Sequence, residues 1–212
     1  MTRAFSREAA EVRRAELIAA TLQSLAERGP GAASVRDVAR RAGVSPGLLR
    51  HHFGSFSNLL AEAYGQVVAR VDTALDSAVR HAGGDAEQRM QAFLEASFSE
   101  AIVNGELLSA WLAFWSLVRV DPEIAAKHGE TYVAYRRRLE RLLDDLARAR
   151  KCKLDLRHAA IGLSALLDGL WLELCLDPDS YSRAEAVAIA RGWVEALLQT
   201  PLPLREREGP IA

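Results

Sequence analysis

The stretch Ser34-Val-Arg-Asp-Val-Ala-Arg-Arg-Ala-Gly-Val-Ser-Pro-Gly-Leu-Leu-Arg-His-His-Phe53 holds two short helical patterns joined at a glycine. Ser34 stands as an N-cap, and Asp37, three positions on, takes the acidic place of a capping box. Val35, Val38, Ala39 and Ala42 recur at helical spacing and make one apolar face. Gly43 stops that helix with a residue free to take positive φ, and Val44 follows as the apolar plug of the turn. Ser45 caps the next helix and Pro46 occupies its first position, where a missing N–H costs nothing. Leu48, Leu49 and Phe53 form its inner face. Two helices so joined have the layout of a helix-turn-helix, in which the second helix enters a major groove. A glycine between two helices also occurs in ordinary bundles, so the pattern leaves both readings open.

Outward from this stretch the chain reads as all-α. Ala and Leu supply about a third of its 212 residues, both are strong helix formers, and no period-2 run exceeds four residues. Ala15, Ile18, Leu22 and Leu25 place a first helix near 7–28, ended by Gly29-Pro30-Gly31. After the pair at 35–42 and 46–53, helices are expected near 56–82, 85–103, 105–118, 122–150, 155–177 and 182–199, about nine in all. The organisation expected is a three-helix head at 1–54, a helical body at 55–200, and a mobile tail at 201–212 with three prolines.

Composition narrows the function classes. The net charge of −1 conceals an asymmetry: residues 1–52 carry +4, the remainder −5. A basic head on an acidic body suits a protein whose head alone meets a polyanion. Cys152 and Cys175 have no C-x-x-C spacing, which argues against disulfide or zinc frameworks and fits a reducing cytoplasm. The longest charge-free apolar stretch, 107–118, is too short for a membrane span, so no membrane partner is expected. No G-x-G-x-x-G, P-loop, G-x-S-x-G or H-E-x-x-H motif occurs, and the five histidines do not pair at metal spacing. No cofactor is expected, and an enzyme or a helical adaptor is the competing class.

The run 34–53 resembles the DNA-binding signature of the TetR family of transcriptional regulators, over about 20 positions in order. The resemblance implies a homodimer that binds palindromic double-stranded operator DNA and is released by a small organic effector. The segments Ser109-Ala-Trp-Leu-Ala-Phe-Trp115 and Leu166-Leu-Asp-Gly-Leu-Trp-Leu172 resemble the BetI type of that family, choline-responsive repressors of betaine synthesis. A quaternary ammonium effector is therefore implied, with a lipophilic or anionic effector as the alternative.

Residue roles follow with the family as a guide. Ser34, Arg36, Ser45, Pro46, Gly47, Leu48, Arg50, His51 and His52 are the expected DNA-binding set. Arg50 stands where the family commonly has tyrosine, and Phe56 where it commonly has lysine; the second change should make the salt slope shallower by about one unit. Arg40 and Arg41 read as solvated helix surface. Trp111, Phe114, Trp115, Tyr132, Tyr135 and Trp171 read either as core or as aromatic walls around an effector, since ring faces attract quaternary ammonium. Asp168 is a carboxylate inside the apolar run 161–172, so it must be hydrogen-bonded to a neighbouring helix or serve as counter-charge for a cation. Leu156, Ala160, Leu163, Leu167, Leu170 and Leu174 follow the spacing of a packed seam beside a small stripe of Gly162, Ala165 and Gly169. With Val187, Ala190, Val194 and Leu197 of the last helix they form the expected dimer interface.

Overall fold

The computed structural model describes residues 2–29 and 33–199. Among them are nine helices and no strand: α1 (Thr2–Arg28), α2 (Val35–Arg41), α3 (Pro46–Phe53), α4 (Phe56–Ala82), α5 (Ala86–Ser97), α6 (Gly105–Val118), α7 (Pro122–Ala149), α8 (Leu156–Leu176) and α9 (Arg183–Gln199). The expected tail, 201–212, lies outside the described residues. One helix ends early: α5 stops at Ser97, and the chain passes through turns at Ser99, where Ile102 and Val103 both donate to the Ser99 carbonyl. The Ile102 carbonyl, freed from helix pairing, accepts the indole N–H of Trp171 at 3.0 Å.

The chain falls into two compact units, Met1–Arg70 with Gly105–Thr131, and Val71–Asn104 with Tyr132–Ala212. The helices α4 and α7 each contribute to both. In the first unit α1 packs on α2 and α6, over a core of Leu17, Leu25, Val38, Leu49, Phe53, Leu59, Tyr64 and Phe114. In the second, α9 packs on α5 and α8 over Leu75, Phe93, Leu94, Leu139, Leu143, Ala160, Leu163 and Ala190. The helix α8 is long and apolar enough to cross a membrane, with mean hydropathy 1.6. Asp168 and Glu173 interrupt it, so no charge-free run of that length marks it in the sequence. Here Ala159, Ala160, Leu163, Leu167 and Leu174 bury its inner face in a packed unit.

The short helices α2 and α3 are held by polar bolts. Ser34 caps α2 by accepting from the Asp37 N–H at 3.3 Å, and Ser45 caps α3 by accepting from the Leu48 N–H at 3.4 Å. The Asp37 carboxylate does not close a capping box. It turns inward, accepting from the Ser24 hydroxyl at 2.7 Å, from Arg41 Nε at 2.8 Å and from Arg40. Arg41 also pairs with Glu27 at 2.7 Å and is only 11% exposed, so it is a clamp between α1 and α2 and not solvated surface. Arg40 is the exposed partner, at 63%. Arg14 of α1 does the same for α3 and α4: it donates to the His52 carbonyl, forks onto Glu62, and lies 4.4 Å from the Phe53 ring centroid.

The hydrogen bonds from Ser24 and Arg41 hold the Asp37 carboxyl well below the usual carboxylate range. A carboxylate depressed in the folded state stabilises above its unfolded pKa of about 4, and that contribution is lost as pH falls through the folded value. Asp37→Ala is therefore expected to lower the melting temperature at pH 7, and to flatten its decline between about pH 4 and pH 2. Circular dichroism melts across that range check both.

Candidate nucleic-acid interface and effector cluster

The faces of α2 and α3 that the core does not use carry the expected DNA-binding residues. Ser34, Arg36, Ser45, Pro46, Gly47, Arg50 and His51 are exposed, and Leu48 and His52 are half-buried. The basic groups Arg50, His51 and His52 fill the last turns of α3. A Cβ built on Gly47 would meet nothing nearer than Ser45 Oγ at 3.8 Å, and its φ is unremarkable for any residue. The fold places no demand for glycine there. Gly43, with φ +64, and Gly54, with φ +74, are different: they make the turn before α3 and the corner after it. Beside α3 a depression of about 390 Å³ is lined by Val35, Pro46, Gly47, Leu49, Arg50, Gly54, Ser55 and Phe56. His52 packs against Phe53, and burial lowers its pKa, so its ring is biased to the neutral form at neutral pH.

The expected effector residues divide between the two units. In the first, Tyr64, fully buried, meets Trp111 edge-on at 5.3 Å and Phe114 at 5.0 Å, and Trp115 lies 6.0 Å from Trp111. The Tyr64 hydroxyl is 2.9 Å from His128 Nδ1. Phe114 is fully buried and belongs to the core, whereas Trp111 and Trp115 are half-buried. Tyr64 and His128 carry no signal of their own in the sequence.

In the second unit α7 presents Tyr132 and Tyr135 on one face, and α8 presents Asp168. The Tyr132 hydroxyl donates to Asp168 Oδ2 at a long 3.3 Å. The two tyrosine rings stand 6.5 Å apart at 70°, and Phe93 lies 6.4 Å from Tyr135. Among the described residues nothing hydrogen-bonds the Tyr135 hydroxyl. Burial pushes the Asp168 carboxyl up to about 6, against the Tyr132 hydrogen bond and the nearby Arg136. Burial, then the Asp168 charge, pushes the Tyr135 phenol well above its ordinary value. Trp171 is buried, with its N–H on the Ile102 carbonyl.

The expected dimer seam faces inward. Ala160, Leu163, Leu167, Leu174, Ala190, Val194 and Leu197 are buried within the unit, and Leu156, Leu170 and Val187 are half-buried. The periodicity reports packing of α8 in its own unit, with α9 as a neighbour. Among the residues that α8 and α9 leave exposed are Ala165, Gly169 and Leu176, with Ala188, Ile189, Gly192 and Ala196, alongside the charged Arg157, Glu173 and Arg191. Gly162 is the exception, since a Cβ there would lie 2.9 Å from Trp193. Among the described residues no group of three His, Cys, Asp or Glu could hold a metal ion.

Residues 17–63 match the model of bacterial regulatory proteins of the tetR family, and residues 86–199 match that of the BetI-type transcriptional repressor, C-terminal. The HTH-type transcriptional regulator BetI 2 of Chromohalobacter salexigens is 36% identical, covering 88% of this chain and 89% of that protein. A putative transcriptional regulator from Pseudomonas aeruginosa PAO1 superposes with a TM-score of 0.85 at 43% identity, over 90% of this chain and 92% of the other. A putative transcriptional regulator from Saccharomonospora viridis, solved in complex with choline, shares the fold with a TM-score of 0.70 at 22% identity, over 86% and 95%. The chain belongs to the TetR family of bacterial transcriptional regulators, with a BetI-type C-terminal region, and is a DNA-binding regulator and not an enzyme.

Proposed function

We propose that this chain is a cytoplasmic, homodimeric repressor that leaves a palindromic operator when a small cation of the choline type binds beside Asp168. The observation that carries the reading is the α7–α8 cluster: a largely buried carboxylate with one long hydrogen bond, and beside it a tyrosine hydroxyl with no partner among the described residues. A buried carboxylate so weakly paired is costly unless a cation completes it. Quaternary ammonium suits such a site, because it needs a charge and aromatic faces and brings no hydrogen to donate. The choline held by the Saccharomonospora viridis relative supports the same ligand class.

The head supplies operator contacts from Arg36, Gly47, Arg50 and His51, and the caps at Ser34 and Ser45 leave N-terminal amides beside them for phosphate. The second copy takes the exposed small-residue side of α8 and α9. Leu176 at 61% and Ile189 at 48% exposure mark it as apolar surface without a cover, and alanines and glycines permit close helix approach.

Three outcomes test the reading. Arg50→Ala weakens operator binding about tenfold in a gel shift with the upstream DNA, and with one fewer cation on the phosphates the salt slope becomes shallower by about one unit. Ala165→Glu combined with Ala196→Glu gives a single-chain mass by sedimentation with an unchanged circular dichroism spectrum. Asp168 sets a pH profile: its carboxyl is ionised above about 6, so choline binding weakens about tenfold between pH 7.5 and pH 5. Because its folded pKa is raised, the ionised form costs stability above that value, so Asp168→Asn removes the choline response and raises the melting temperature at pH 8. Calorimetric titration and melts on the same variant check both halves, and choline binding that survives the substitution ends the assignment.

A further inference from the structure

A single guanidinium ties α7 to α4 inside the second unit. Arg138 Nη1 lies 2.6 Å from Asp72 Oδ1 and Nη2 3.3 Å from Asp76 Oδ2. Its Nε is 2.9 Å from Asp76 Oδ1, an ionic contact out of line for a hydrogen bond. Asp72 and Asp76 are four residues apart, so they share one face of α4 and grip Arg138 from successive turns. Arg138 is 13% exposed, against 30% or more for the arginines of the unit's other long-range ion pairs among the described residues, while Asp72 and Asp76 are 34% and 46% exposed. The enclosed member is the guanidinium, and its fork onto two carboxylates fixes its geometry.

The position of this clamp is what gives it a use. On α7 the spacing Tyr132, Tyr135, Arg138 steps the two tyrosines of the effector cluster and the guanidinium around one broad side of the helix, with Tyr135 next to each of the others. Burial raises the Tyr135 pKa first, the Asp168 and Asp72 charges raise it further, and Arg138 lowers it, so the phenol lies within the field of the clamp as well as of the effector carboxylate. At its other end α4 begins at Phe56, with two residues between it and the end of α3 at Phe53. One helix face thus carries the effector tyrosines and, a turn later, the grip on the helix that starts at the DNA-reading element.

We propose that Arg138 is the positioning residue that couples the effector cluster to α4, and through α4 to operator affinity. The coupling half rests on the effector reading above. A ligand wedged against Tyr132 and Tyr135 displaces that turn of α7, and the fork onto Asp72 and Asp76 carries the displacement into α4. Two sites are coupled only if an element between them has two arrangements that both sites bias, and the α4–α7 fork is that element.

The test uses the full-length protein with Arg138→Met, which keeps the bulk, and Arg138→Lys, which keeps the charge. The first arm needs no effector. Operator affinity is expected to fall at least fivefold in Arg138→Met and to stay within twofold in Arg138→Lys, in preparations matched for melting temperature. The triple variant Asp72→Asn, Asp76→Asn, Arg138→Met removes the unpaired carboxylates and stands in if Arg138→Met does not fold. In the second arm choline affinity stays within threefold of the unsubstituted chain, while the change in operator affinity on adding choline drops below twofold. Unaltered operator affinity in the Met variant overturns the proposal, as does full choline release. If the unsubstituted chain itself ignores choline, the effector reading fails, and the first arm alone decides the clamp.

Discussion

Helices of seven and eight residues do not hold themselves together in water, and everything this protein does to DNA depends on two of them. Burial of Val38, Leu49 and Phe53 supplies part of the remedy. The rest is charge turned inward. Asp37 gathers Ser24, Arg40 and Arg41, and Arg14 reaches from α1 to the end of α3 and on to Glu62 in α4. Each bolt joins a short helix to a long one, so α2 and α3 borrow the rigidity of helices of 27 residues. Apart from the capping Ser34 and Ser45 and the Asp37 partner Arg40, their outer faces are then free to be exposed and basic.

The second unit follows the opposite logic around Asp168. There a carboxylate is kept among aromatic rings with little to satisfy it, and its raised pKa measures the cost. Its ionised form therefore costs stability above about pH 6. The cation proposed as effector would pair with that charge, and its binding energy would offset what the buried carboxylate costs the fold.

Much of the fold is legible in the sequence because its signals are local. The caps Ser34 and Ser45, the stop at Gly43 and the apolar spacing of 35–53 set α2 and α3 to within a residue. The candidate DNA face is legible for the same reason: residues left over from an amphipathic pattern are outward. What spacing does not reveal is identity of partner. The six-residue seam of α8 reads in the sequence as a contact with a second chain, and the structure turns it into its own unit, leaving Ala165 and Gly169 outside. A periodic stripe says that a helix packs, not against what. Arg41 reads as surface because an arginine near the end of a short helix usually is, and only the approach of Glu27 from α1 encloses it. Tyr64–His128 and Arg138–Asp72 join residues more than 60 positions apart, beyond the reach of any local pattern.

Two glycines show where local pattern gives way to surroundings. Gly47 and Gly162 look alike in the sequence, each a small residue on a helix beside apolar neighbours. Around Gly47 there is open space and no constraint on φ, while at Gly162 the Trp193 ring occupies the volume where a Cβ would stand. A side chain at 162 would have to displace an indole from the packing of α8 and α9, so that glycine serves stability. A side chain at 47 would displace nothing within the chain. Glycine is unfavourable inside a helix by roughly 1 kcal/mol relative to alanine, so an unforced glycine in the first turn of α3 needs a reason outside the chain. In the operator complex proposed above, the surface of a DNA groove pressed against that turn would be such a reason.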